Sequence, residues 1–244
     1  MTKLLELNNI SLESKENIRV KNINLVVNQG EKIALIGKSG SGKSTLISIA
    51  NGALKPSRGD VTWKGSHIDK ISKSELSNIG TIWQDLSLIE ELNVAQNINC
   101  GALGKKSFIW AFKNLLGIVE KELCQECLQA VYLPKKTIYS YINKLSGGQK
   151  KRIAIARLLR QEPEILLGDE PFSNLDPILS NNILNLFLNH KKYCRIKIPK
   201  TIIISLHQIN LINNFNRVIG LKEGRIVIDR SIKDINTSEL DWIF

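Results

Sequence analysis

The chain has 244 residues, 43% apolar and 23% charged, with a net charge of +11; at that length about three quarters of the unfolded surface is buried on folding and no disulfide staple is needed. No run approaches the roughly 18 uninterrupted apolar residues of a membrane span, and Met1-Thr2-Lys3-Leu4-Leu5-Glu6 lacks the build of a signal peptide, so a cytosolic protein is expected. The positive balance suggests an anionic neighbour: nucleic acid, an anionic membrane surface or nucleotide.

Leu4 to Ile10 and Val20 to Val27 read as strands, the second alternating through Ile23, Leu25 and Val27, with Ser11 to Arg19 a polar turn between them. Lys32 to Ile36 is a short apolar run of strand type, and Thr45 to Ala50 opens a helix. Between them stands Gly37-Lys38-Ser39-Gly40-Ser41-Gly42-Lys43-Ser44, a full match to the phosphate-cradling pattern G-x-x-x-x-G-K-[ST]. Glycines let the backbone wrap a phosphate, and the helix N-terminus adds partial positive charge where the anion sits. Lys43 is placed for the terminal phosphates and Ser44 for Mg²⁺, so 37–44 with Thr45 is the candidate nucleotide-binding stretch.

Farther on, Val61-Thr62-Trp63 with Lys64-Gly65 reads as an edge hairpin, Ser72 to Ser77 as a short polar helix, and Gly80 to Trp83 as a strand ending at Gln84-Asp85. From Leu86 to about Ile142 helix-period apolar residues dominate, which marks a helical insertion. The stripe Ile109, Phe112, Leu115, Leu116 and Val119 is taken as helix core rather than a docking surface. Cys124 and Cys127, a lone C-x-x-C in a helical segment, are read as small apolar residues rather than a redox or metal site. The scattered lysines, Lys105-Lys106, Lys135-Lys136 and Lys150-Lys151-Arg152 among them, are read mainly as solvated surface.

The second half returns to α/β alternation. Gln149 to Leu159 is a helix, Ile165 to Leu167 a buried strand ending in Gly168-Asp169-Glu170, and Ser180 to Asn189 a helix. Thr201 to Ser205 is a continuous apolar strand of the kind parallel sheets bury on both faces, and a hairpin through Glu223-Gly224 closes the chain. Ligands of open α/β sheets sit at the carboxyl ends of strands, which gathers Gln84, Asp169, Glu170 and His207 into one site with the phosphate loop. Asp169 is the metal-holding carboxylate of this pattern, and Glu170 is the residue to polarise an attacking water. Taken alone, Asp-Glu-Pro after a strand equally suits a helix cap. Leu145-Ser146-Gly147-Gly148-Gln149 reads both as a capping box, Ser146 with Gln149, and as an anion site at a glycine-rich helix start.

In this order, the loop at 37–44, Gln84, Leu145 to Gln149, Asp169-Glu170, Ser173-Asn174-Leu175-Asp176 and His207 resemble the ATP-binding cassette family over nearly the whole chain. The resemblance implies an α/β P-loop NTPase: a mostly parallel core of about 1–85 and 150–244 with an antiparallel flap, and a helical subdomain of about 86–149. It also implies a head-to-tail homodimer in which Ser146, Gly147, Gly148 and Gln149 of one subunit meet the ATP of the other. Gln84, with Ser44 and Asp169, would serve Mg²⁺. Asp176 would cross the interface, and His207 would contact the γ-phosphate beside the catalytic Glu170 and Lys43. The family's usual adenine-stacking aromatic falls at about Ser14 here, so either another side chain supports the base or base selectivity and nucleotide affinity are weakened.

A single cassette without fused spans is similar to importer subunits. Gly101-Ala102-Leu103-Gly104, the helix around Ile109 to Leu116, Leu206-His207-Gln208 and Arg217 to Arg225 are similar to phosphonate-import ATP-binding subunits. That implies integral membrane permease partners, a periplasmic solute-binding protein acting indirectly, a place at the cytoplasmic face of the inner membrane, and no nucleic acid. An importer for another solute, a cassette serving a membrane complex without moving solute, and one acting on ribosomes or DNA are the alternatives.

Overall fold

The computed structural model describes residues 2–13, 18–173, 175–189, 193–206, 209–235 and 239. Strands β1 (Lys3–Glu13), β2 (Ile18–Asn28) and β3 (Lys32–Ile36) lead into helix α1 (Lys43–Ala50), followed by β4 (Arg58–Trp63), β5 (Ser66–His67), α2 (Lys73–Leu76) and β6 (Ile79–Ile82). Next come α3 (Val94–Asn99), α4 (Phe108–Leu115), α5 (Lys121–Ala130) and α6 (Gly147–Gln161), with 3₁₀ turns at Cys100–Lys105, Lys135–Tyr139 and Ile142–Lys144. β7 (Ile165–Gly168), α7 (Pro177–Leu188), β8 (Thr201–Ser205), β9 (Arg217–Lys222) and β10 (Arg225–Ser231) complete the order. The chain divides into two compact units, one of Met1–Ser72, Leu167–Glu170 and Lys200–Phe244, the other of Lys73–Leu166 and Pro171–Pro199. These bounds differ from an insertion of 86–149, because α6 packs against α3, α5 and the turn at Cys100–Lys105.

In the first unit an antiparallel flap has the order β2-β1-β4-β5. Alternation dictates its register: Leu5 faces Val27 on one side and Trp63 on the other, and Leu7 faces Leu25 and Val61. These side chains are buried, so a one-residue slip would turn the whole apolar set outward. The strands outrun the expected turn at Ser11. That residue is buried, and its Oγ accepts from the Asn22 N–H at 3.0 Å, which makes it a rung of the flap.

The same unit holds the parallel core. β3 pairs in parallel with β8, Ala34 opposite Ile204, and with β9, Ala34 opposite Val218, while β9 and β10 form the closing antiparallel hairpin. Ile33 to Ile36 and Ile202 to Ile204 are buried, as expected of strands covered on both faces. Truncating any one of these isoleucines to alanine would cost about 2–5 kcal/mol. The Arg217 guanidinium adds a fork to Asp229 at 2.6 and 2.7 Å and a contact to Glu31 at 3.0 Å.

In the second unit α4 overturns the expected core stripe. Phe108 is 85% exposed, and Ile109, Phe112, Leu115, Leu116 and Ile118 are exposed with it. Asn114, only 1% exposed, lies on the inner face instead. Its Oδ1 accepts from Asn99 Nδ2 at 3.0 Å, and Gln96 Nε2 donates to its carbonyl oxygen at 2.9 Å. The helical period is as read from the sequence, but an amide network turns its phase by half a revolution. Cys124 and Cys127 are buried on α5; burial pushes the Cys124 thiol up to about 12 and the Cys127 thiol higher still, which keeps both as inert apolar groups.

Candidate active site

The phosphate loop lies entirely in the first unit. Gly37 adopts φ +150, and a Cβ there would stand 2.4 Å from the Leu221 carbonyl oxygen; Gly42 adopts φ +106 with a Cβ 2.7 Å from that of Arg19. Both positions admit only glycine, which is why the loop can fold so tightly. Gly42 also starts α1, which has no side-chain cap and no acidic residue in its first turn. Its leading N–H groups and the positive end of its dipole are therefore left for an anion.

Two side chains inside the loop fit the same ligand. Ser41 Oγ is buried without a hydrogen-bond partner among the described residues, a condition that costs roughly 1–3 kcal/mol and that a phosphate oxygen would relieve. Lys43 is 5% exposed, and its ammonium donates to the carbonyl oxygens of Gly37 at 2.6 Å and Lys38 at 3.1 Å. Burial pushes this ammonium below its ordinary pKa, while Glu170 and then Asp169 pull it back up.

Those two carboxylates stand at the end of β7. Asp169 is buried, and its Oδ1 accepts from Ser205 Oγ at 2.9 Å. The same Ser205 oxygen accepts the Glu170 N–H at 2.8 Å, and Glu170 holds a left-handed φ of +50. Ser205 was visible in the sequence only as a polar residue ending an apolar strand. The oxygen donors offered by Ser44 and Asp169 are the hard type that suits Mg²⁺.

The remaining candidates belong to the second unit. Ser146 and Gln149 form the expected capping box: Ser146 Oγ accepts from the Gln149 N–H at 3.3 Å, and the Ser146 N–H donates to Gln149 Oε1 at 3.0 Å. Among the described residues a Cβ on Gly147 would meet nothing within 4 Å, and one on Gly148 only Leu175 at 3.6 Å. Gln84 is exposed on the loop after β6. Arg157 of α6 grips that loop, donating to the carbonyl oxygens of Leu86 at 2.6 Å and Ser87 at 2.8 Å.

Lys151, one turn into the same helix, donates to Ser173 O at 2.9 Å and Ser173 Oγ at 2.6 Å. Asp176 caps α7, its Oδ1 accepting from the N–H groups of Ile178 at 3.0 Å and Leu179 at 3.1 Å. Neither the Arg157 grip nor the Lys151 bond was legible in the sequence, since each joins segments far apart along the chain. His207, Asn174 and Ser14 lie outside the described residues.

A strand–loop–helix shaped for phosphate, followed by a strand that ends in two carboxylates, defines a P-loop ATPase of α/β class. The ABC transporter family model matches residues 20–173. The phosphonates import ATP-binding protein PhnC of Lactobacillus delbrueckii subsp. bulgaricus is 36% identical over 247 residues, covering 99% of this chain and 94% of that one. PhnC of Treponema denticola is 37% identical over 248 residues, with 97% and 93% covered. Among solved structures, the dimeric structure of MJ0796, a bacterial ABC transporter cassette, has a TM-score of 0.81 at 27% identity, covering 95% of this chain and 100% of that one. The chain belongs to the ABC transporter family and is an ATP-binding cassette ATPase. Among the described residues no helix is long and apolar enough to cross a membrane.

Proposed function

We propose that this cassette is the ATP-hydrolysing subunit of a bacterial importer for phosphonates or a related phosphorus oxyanion. The observation that carries the solute class is the nearly full-length likeness to phosphonates import ATP-binding proteins from several bacteria.

The residues 37–45 hold the ATP phosphates, with Lys43 leaving the Gly37 and Lys38 carbonyls for the terminal phosphates. Ser44, Asp169 and Gln84 supply oxygen ligands for Mg²⁺, which neutralises charge on the phosphate oxygens when bound. Glu170 polarises the attacking water, and His207 contacts the γ-phosphate. Two cassettes pair head to tail, so that Ser146, Gly147, Gly148 and Gln149 of one meet the nucleotide of the other, with Asp176 at the interface. Gly147 supports this reading: nothing among the described residues excludes a side chain there, whereas close approach of an outside ligand would.

A membrane permease covers the exposed apolar face of α4, a periplasmic solute-binding protein delivers the solute, and the cassette works at the cytoplasmic face. The exposure of Phe108 and its neighbours supports such a partner, because contiguous apolar faces of this kind mark interaction sites. Capture of the tagged cassette from detergent-solubilised native membranes tests the reading. Recovery of a permease with a phosphonate-binding protein is expected, and recovery of ribosomes or nucleic acid in its place would contradict it.

A further inference from the structure

We propose that Ser205 is a positioning residue for hydrolysis, holding the catalytic Glu170 and the metal-side Asp169 in fixed relation through a single hydroxyl. The proposal rests on the ATPase reading and adds to it a residue with no assigned role.

β8 is aliphatic from Ile202 to Ile204 and ends in one hydroxyl, that of Ser205, 0% exposed. A hydroxyl has one proton and two lone pairs. Here the proton goes to Asp169 Oδ1 at 2.9 Å, so the Glu170 N–H, at 2.8 Å, meets a lone pair of the same oxygen. Together the two bonds fix the hydroxyl rotor and leave no alternative arrangement that satisfies both partners.

The anchor itself is rigid. Ser205 lies opposite Leu35 on the central strand β3, and the next residue, Leu206, donates its N–H to the Leu35 carbonyl at 3.0 Å. β3 is the strand that feeds the phosphate loop. Ser205 therefore ties the carboxylate pair to the same strand that places the phosphates.

Glu170 needs such a tie. It is a non-glycine residue in the left-handed region, a conformation that persists only where its surroundings impose it. Without the bond to Ser205 its backbone is released toward ordinary φ, and the carboxylate moves with it. A shift of about 1 Å in a reacting group is enough to lower a rate up to about a hundredfold.

The test is steady-state and single-turnover ATP hydrolysis by the cassette with its membrane partner, comparing wild type, Ser205→Ala, Ser205→Thr, Glu170→Gln and the double variant Glu170→Gln with Ser205→Ala. The expected result is that Ser205→Ala lowers kcat between about tenfold and a hundredfold while KM for ATP stays within about twofold. Ser205→Thr, which keeps the hydroxyl, recovers most of the rate. In the Glu170→Gln background Ser205→Ala lowers single turnover by a smaller factor than it does in wild type, since one of the two groups it positions has already lost its charge while Asp169 remains.

Should Ser205→Ala not fold, Ser205→Cys, a weak and longer donor, is expected to lower kcat at unchanged KM. Wild-type kcat in the alanine or cysteine variant, a loss that appears only in KM, or full additivity with Glu170→Gln overturns the proposal. Absence of turnover in the wild-type complex overturns the ATPase reading and this proposal with it; normal wild-type turnover beside an unaffected Ser205 variant overturns this proposal alone.

Discussion

The Lys43 ammonium lies 2.6 Å from the carbonyl oxygen of Gly37, so the phosphate loop is closed by its own lysine. Burial holds that ammonium below its ordinary value of 10.5. A bound triphosphate would raise it, because an opposite charge favours the charged form. With the bound pKa above the free one, affinity is complete below the free-state pKa and is lost as pH climbs through it. ATP binding is therefore expected to weaken on the alkaline side, within the window below 10.5, and titration of ATP affinity against pH checks this. Lys43→Arg should flatten the profile, and Lys43→Ala should abolish binding. The unfolded chain binds the Lys43 proton more tightly than the folded one, so this group makes the apo protein gain stability as pH rises through that window.

Glu170→Gln keeps shape and removes the charge proposed to polarise water. Turnover should fall by a factor of about 10²–10⁴ while ATP affinity is kept, leaving an ATP-bound dimer that gel filtration resolves. Wild-type turnover in this variant would remove Glu170 from its catalytic role.

Ser146 caps α6 and, in the proposed head-to-tail pairing, also meets a partner's nucleotide, two separable tasks. As the cap of α6 it is replaceable by aspartate, which caps at least as well and suits the helix dipole. As a neighbour of a partner's γ-phosphate it is not, since the new charge repels the nucleotide. Ser146→Asp should thus leave the monomer's melting temperature unchanged or higher and abolish ATP-driven dimerisation. Ser146→Ala should cost about 1 kcal/mol of stability and weaken dimerisation less. Equal dimerisation by the aspartate variant and wild type would refute the trans contact.

The two faces of α4 should respond in opposite ways. Phe112→Glu, on the exposed face, should change stability by less than about 0.5 kcal/mol, retain ATP binding, and lose the membrane partner on purification. Asn114→Leu, on the buried face, strands the Asn99 amide and should cost about 1–3 kcal/mol. Chemical denaturation and co-purification distinguish these outcomes.

What the sequence discloses here is mostly local. The phosphate loop and the Ser146–Gln149 capping box are legible because each is written within a few consecutive residues whose geometry needs no distant partner. The phase of α4 is not, since it depends on amide bonds from Asn99 and Gln96 to Asn114, 15 and 18 residues away. Ser205 is hidden for the same reason: its partners, 36 and 35 residues earlier, come beside it only through the strand order of the sheet. Asp176 shows a middle case: the Asp-Pro pair announces a helix that starts at Pro177, three residues before the Ser180 at which the apolar pattern alone places it.

Reconstitution probes the proposal that ATP hydrolysis by this cassette serves phosphonate uptake. The cassette with its co-purified permease is placed in proteoliposomes, and ATP hydrolysis and solute accumulation are followed with the binding protein loaded with phosphonate or left empty. The phosphonate-loaded binding protein is expected to stimulate hydrolysis and drive accumulation, and Glu170→Gln to abolish both. Hydrolysis that ignores phosphonate, with no accumulation, would contradict the proposal.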